Sequence, residues 1–310
     1  MSGRFAGLQP VSAGFLAAIV GFASSFAIVI QGLTAAGASP AEATSGLMAL
    51  SISMGLCAIV ASLATKIPVS IAWSTPGAAL LATAGPLEGG FSAAVGAFLV
   101  CGALVVLAGL IKPFGRAVAS IPAPLANAML AGVLFGLCLA PVRAVAELPY
   151  SALAIIAFWA IALRFFRLFA VPLAMVMTFA IGLSSSGPID LSNVQLITEP
   201  AWIAPSFSLE ALISIALPLF IVTMASQNIP GVAVLSAYGY RPKSGPLFTL
   251  SGVFSMLSAP FGGHAVNLAA ITAAMCAGED AHKDPAKRYW AAVTAGAVYV
   301  LFGLFAGLVM

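Results

Sequence analysis

The chain has 310 residues, of which 62% are hydrophobic and 7% charged, with a mean hydropathy of +1.12. A soluble globular domain carries roughly 25% charged residues, so this composition excludes one and reads as a polytopic membrane protein. The formal net charge of +3 comes from basic residues placed singly or in pairs between apolar runs, which form no patch for nucleic acid.

A bilayer core about 30 Å thick needs roughly 20 apolar residues per helix. In chain order, spans are expected at 11–33, 43–65, 68–84, 89–111, 122–141, 148–163, 169–185, 208–228, 245–258, 259–278 and 289–310, eleven in all. The first follows Arg4 and precedes Ala35-Ala36-Gly37-Ala38, as a signal peptide precedes its cleavage site. Its apolar run exceeds the roughly 7 to 15 residues of a signal h-region, so it is read as a span. The cysteines Cys57, Cys101, Cys138 and Cys276 stand alone in apolar segments and read as small buried hydrophobes. No metal and no cofactor are expected.

With the N-terminus inside, Arg4, Lys66, Lys112, Arg116, Arg164, Arg167, Arg241, Lys243, Lys283, Lys287 and Arg288 fall on the cytoplasmic side and only Arg143 outside. The polar connection at 186–207 divides seven spans from four. Seven is odd, so a second copy starting there enters the membrane from the opposite side, giving an inverted repeat of 1–185 and 208–310. A short echo agrees: Phe22-Ala-Ser-Ser-Phe26 in span 1 resembles Met224-Ala-Ser-Gln-Asn228 in span 8. The second copy stops after its fourth span and is expected to be incomplete.

The third span of each copy, 68–84 and 259–278, is broken, and each reads as a short extended piece running into a half-helix. An interrupted span survives only where protein buries it or a polar cavity bathes it, and paired breaks point to a transporter's substrate site. In the first break, Trp73, Ser74, Thr75, Pro76 and Gly77 place a helix start near Thr75 or Pro76, whose N–H groups and dipole favour an anion. The alternative is a Pro-kinked helix whose hydroxyls bond back to the backbone.

In the second break, Phe261, Gly263, His264 and Asn267 place a histidine at or near the start of the other half-helix. An ionisable group inside a span is a functional hypothesis by default, and a histidine changes charge in the physiological range. Otherwise it joins two helices as a neutral hydrogen-bonding group. His282, in a charged loop, reads as a solvated residue. Ser24, Ser25 and Phe26 in span 1, with Gln227 and Asn228 in span 8, offer further contacts. Inter-helix glue of about 0.6 kcal/mol per contact is the competing reading for the polar ones.

On Pro68-Val-Ser-Ile-Ala-Trp-Ser-Thr-Pro-Gly77, Ser226-Gln-Asn-Ile-Pro-Gly231 and Phe261-Gly-Gly-His-Ala-Val-Asn267, the chain resembles the benzoate/proton symporter (BenE) family along essentially its whole length. That family is related to the uracil/proton and sulfate transporters. The resemblance implies an all-α polytopic fold of seven plus seven spans in inverted repeat, with spans 12–14 absent from this chain. It also implies a core domain (11–111 with 208–310) moving against a gate domain (115–185), and a substrate between spans 3 and 10. Gln227 and His264 stand where uracil transporters carry glutamates, and the loss of two acids fits an anionic substrate.

The expected function is import of an aromatic carboxylate, benzoate by resemblance, by proton symport in the bacterial inner membrane. Alternating access is expected to be of elevator or rocking type, and His264 to couple the proton. Ser25, Gln227 and Asn228 supply hydrogen bonds, and Phe26, Trp73 and Phe261 pack on the ring. The partners are the carboxylate, the proton and the lipid bilayer, with a homodimer as one option for the assembly. The alternatives are an uncoupled anion channel or facilitator, or a carrier of another small anion or nucleobase. An intramembrane enzyme is disfavoured, because no carboxylate within the spans orients the imidazole.

Overall fold

The computed structural model describes residues 8–85, 87–119, 123–166, 169–185 and 197–309. Half of the expected 186–207 connection, 186–196, lies outside the described residues, as do Arg4 and Arg167 of the charge pattern. Helices α1 (Gln9–Ala23) and α2 (Phe26–Ala35) divide the first expected span at Ser24 and Ser25, whose hydroxyls donate back to Gly21 O at 3.2 and 3.1 Å. Such back-bonding by neighbouring serines bends a helix. Helix α3 (Pro40–Thr65) starts at a capping box, in which Ser39 Oγ accepts from Glu42 N and Glu42 Oε2 accepts from Ser39 N.

The first broken span is strand β1 (Ile71–Trp73) followed by helix α4 (Thr75–Ala84). Helices α5 (Gly90–Leu110), α6 (Lys112–Ala119), α7 (Ala123–Glu147), α8 (Pro149–Phe165) and α9 (Ala170–Ser185) follow. Helix α10 (Leu209–Ala237) has π-helical turns at Leu212–Ala216 and Met224–Asn228. The echo found in the sequence thus marks two departures from α-helical geometry, the α1–α2 break and the second π turn, and π turns recur at functional sites.

Helix α11 (Ser244–Ser258) passes into a 3-10 turn at Ala259–Phe261, ended by Gly262 at φ 90°. Strand β2 (Val266–Leu268), helix α12 (Ile271–Ala277) and helix α13 (Tyr289–Leu304) follow, with 3-10 turns at Pro285–Lys287 and Ala306–Val309.

Among the described residues, four helices are long and apolar enough to cross a membrane: α1 and α2 counted together, α3, α5 and α10. Small residues bring the helices close. An ideal Cβ on Gly296 of α13 would stand 2.6 Å from Gly55 O of α3, so the two backbones touch as membrane helices with small interface residues do. The main buried cluster draws on α1–α5, α10, α11 and α13. Helices α8 and α9 add only Ala152, Ala162 and Ala170 as described buried apolar residues. Leu153, Ile161, Phe165, Val176 and Phe179 are exposed on them, a surface suited to lipid rather than water.

Two expectations are corrected. Cys138 on α7 is exposed, while the other three cysteines are buried. His282 is also buried rather than solvated. Its Nδ1 accepts from Asp284 N at 2.9 Å, and the buried Arg288 donates to His282 O at 2.6 Å and to Ala277 O at 2.8 Å. The guanidinium thus gathers the carbonyls that end α12 and its loop. Beside this loop, Tyr240 Oη donates to Pro285 O at 3.0 Å, and burial there pushes the phenol's pKa up.

Candidate functional site

The two broken spans meet. β1 and β2 pair antiparallel, with Ile71 opposite Leu268, Ala72 opposite Asn267 and Trp73 opposite Val266. The ladder extends at both ends, since Ser74 N donates to Ala265 O at 2.9 Å and Ala269 N to Ser70 O at 3.0 Å. In an antiparallel pair, hydrogen-bonded and non-hydrogen-bonded positions alternate. Val266 and Leu268 therefore turn their N–H and C=O groups away from β1, towards a sheet edge that apolar surroundings do not tolerate open.

Side chains close that edge. Ser255 Oγ on α11 accepts from Val266 N at 2.8 Å, and Asn228 Oδ1, in the π turn of α10, accepts from Leu268 N at 2.9 Å. Asn267 Nδ2 donates to Leu268 O at 2.9 Å. Next to the first strand, Ser62 Oγ on α3 accepts from Val69 N at 3.2 Å.

The half-helix starts are built differently. Ser74 is the N-cap of α4: its Oγ accepts from Gly77 N at 3.1 Å and bonds Thr223 Oγ1 of α10 at 2.9 Å. Pro76 has no N–H, so Thr75 supplies the remaining N–H of the first turn. The second half-helix starts only at Ile271.

His264 precedes β2 and is not at a helix start, contrary to the expectation, because the ladder holds 265–269 extended against 70–74. The two half-helices leave the antiparallel ribbon at opposite ends. At the α12 end, Ser70 and Thr272 hydroxyls bond at 2.7 Å.

His264 is fully buried, with the ring of Phe98 edge-on at 6.2 Å between centroids. Its Nδ1 accepts from Ala265 N at 2.6 Å, which assigns the proton of the neutral ring to Nε2. Nε2 and the Oδ1 of Asn267 are buried without a hydrogen-bond partner among the described residues.

The other predicted residues separate into two groups. In the first, Trp73 Nε1 donates to Ser25 Oγ at 2.9 Å, and the indole meets Phe22 edge-on at 5.3 Å, so the break in span 1 is bonded to the ribbon. Ser74, Asn228, Asn267 and Gly263 are likewise buried, while Phe261 packs edge-on against Trp202 at 5.4 Å. In the second group, Phe26, Thr75 and Gln227 are half-buried, and no hydrogen bond occupies the Thr75 or Gln227 side chain among the described residues.

Ser24 is exposed beside the break. Phe26 borders a cavity of about 430 Å3 that also touches Met175, Thr178 and Phe179 of α9. Sequence reasoning missed Ser255, Thr223 and Thr272. The spacing of Ser251, Ser255 and Ser258, which puts all three on one face of α11, was the available signal.

Among solved structures, the transmembrane domain of a cyanobacterium bicarbonate transporter, BicA, matches with a TM-score of 0.70, covering 98% of this chain and 87% of that one at 17% identity. The fold is that of an all-α polytopic membrane transporter. Within that class, the chain belongs to the family described as "Benzoate membrane transport protein" (BenE), which matches residues 5–310.

Two relatives agree. The chain is 42% identical over 298 residues to "Inner membrane protein YdcO" of Escherichia coli (strain K12), covering 94% of this chain and 75% of the relative. It is 33% identical over 304 residues to the "Benzoate membrane transport protein" of Acinetobacter baylyi (strain ATCC 33305 / BD413 / ADP1), covering 97% and 76%. Family and fold are those of transporters, not of enzymes.

Proposed function

We propose that the chain imports an aromatic carboxylate, benzoate, together with a proton across the bacterial inner membrane, with its N-terminus cytoplasmic. Membership of the benzoate transport family and the names of both relatives support the substrate and the membrane. The observation that carries the reading is the ribbon itself: two interrupted spans pair at its centre, with two hydrogen-bonding groups left open beside it.

The carboxylate is received by the Thr75 N–H and hydroxyl and by the Gln227 amide, both half-buried, and its ring lies against the half-buried Phe26. Ser24, Ser25, Trp73, Ser74, Pro76, Gly77, Asn228, Phe261, Gly263 and Asn267 form the frame that fixes those groups. His264 is the proton-coupling residue. Residues 1–185 and 208–310 are inverted repeats, and the core, 11–111 with 208–310, moves against the gate, 115–185, by an elevator or rocking step. The near absence of α8 and α9 from the main buried cluster supports a boundary there.

A thermal-shift screen of aromatic acids, nucleobases and inorganic anions tests the substrate class, since a ligand that binds only the folded state raises apparent stability. Benzoate is expected to stabilise the protein, and to do so less in Thr75→Ala and Gln227→Ala variants. Stabilisation by a nucleobase or bicarbonate but not by benzoate would overturn the assignment. The complete burial of His264 favours an uncoupled facilitator as a second reading, and flux indifferent to a pH gradient would select it.

A further inference from the structure

A second cavity, of about 780 Å3, lies where the end of α5, α6, α10 and the start of α11 come together, and Lys112, Arg116 and Lys243 all line it. Lys112 and Arg116 are four residues apart on α6 and so share one helix face. The neighbouring Phe114 anchors that short helix, stacking on Phe220 of α10 with centroids 5.8 Å apart. Lys243 is the N-cap residue of α11 and offers no side-chain acceptor, so it does not cap the first-turn N–H groups of Ser244 and Gly245, two residues that also line the cavity.

Among the described residues no acidic side chain lines this space, and the remaining walls they form are largely apolar, with Leu110, Ile229, Val232 and Phe248 among them. The cavity of about 550 Å3 beside α1 and α12 is bordered instead by Glu279 and Asp280. Three cations and a helix N-terminus call for an anion, and apolar walls call for a hydrocarbon attached to it.

We propose that this cavity binds an acidic phospholipid, its phosphate between Lys112, Arg116 and Lys243 and the upper part of an acyl chain along Leu110, Ile229 and Phe248. The site joins α6 to the start of α11, so the bound lipid fastens α6 to the helix that carries Ser255.

The test uses the full chain purified in neutral detergent, with lipid retention read by native mass spectrometry and stability by thermal shift. The ligands are phosphatidylglycerol, phosphatidylcholine, inorganic phosphate and benzoate. Phosphatidylglycerol is expected to bind in preference to phosphatidylcholine, and that preference to fall about fivefold for each cation neutralised in Lys112→Gln, Arg116→Gln and Lys243→Gln.

The charge-conserving Lys112→Arg/Lys243→Arg variant keeps the preference. If the variant carrying all three Gln substitutions does not fold, Lys243→Gln alone, an exposed substitution, carries the same expectation for one cation. Equal binding of the two lipids overturns the proposal. So does stabilisation by inorganic phosphate as large as that by phosphatidylglycerol. A Gln variant that loses its response to benzoate while keeping its lipid preference would assign the cavity to the substrate path instead.

Discussion

Ser255→Ala isolates the sealing of the ribbon edge. Ser255 Oγ accepts from Val266 N at 2.8 Å and lies within bonding distance of Ser251 O at 2.8 Å and Val266 O at 3.2 Å. Val266 is fully buried, and the antiparallel register turns its N–H away from β1, so no other strand satisfies it. Removing only the hydroxyl therefore leaves a buried donor unpaired, at a cost of about 1–3 kcal/mol.

Ser251, one turn earlier and also buried, provides the control, since its hydroxyl donates only to Phe248 O within its own helix. Its removal is expected to cost less than about 0.5 kcal/mol. Unfolding of both variants in mixed detergent micelles, followed by circular dichroism, gives the comparison. A Ser255→Ala protein as stable as Ser251→Ala would refute the claim that α11 closes the ribbon.

Three further outcomes follow from the packing. Ala in place of Gly in an open helix stabilises by about 1 kcal/mol, yet Gly296→Ala should lower the unfolding temperature, because its Cβ would stand 2.6 Å from Gly55 O; a rise would contradict the backbone contact. A double-mutant cycle of Trp73→Phe and Ser25→Ala should give a coupling of about 0.5–1.5 kcal/mol in unfolding, and additive effects would show that span 1 is not tied to the ribbon. Burial raises the Tyr240 pKa above its ordinary value of 10.0, so the folded chain holds that proton more tightly than the unfolded one. Its contribution to stability is complete below pH 10 and is lost as pH rises through the folded value; Tyr240→Phe should flatten this alkaline loss, and an unchanged pH profile would contradict it.

The sequence made the first break legible in detail, because Ser74-Thr75-Pro76 combines an N-cap with a proline that fits the first turn and no later one. The second was read less well. Gly262 and Gly263 mark where the helix ends, but the restart is set by pairing with residues 70–74, a contact between segments nearly two hundred residues apart. His264 consequently lies ahead of the strand rather than on the half-helix. The same non-local cause hid Ser255 and Thr223, ordinary helix serines and threonines until the ribbon or its cap lies against them. The bend at Ser24 and Ser25 was within reach, since paired serines back-bond locally, whereas the π turn at Met224–Asn228 places Asn228 against Leu268 by a geometry that apolar periodicity does not encode.

Proton-driven uptake of labelled benzoate by the reconstituted protein tests the central claim most directly. An inward proton gradient should drive saturable accumulation above equilibrium, a protonophore should abolish it, and His264→Gln should leave exchange of benzoate but remove its dependence on the gradient. Uptake that ignores the gradient in the unaltered protein, or gradient-driven accumulation that persists in His264→Gln, would contradict the account.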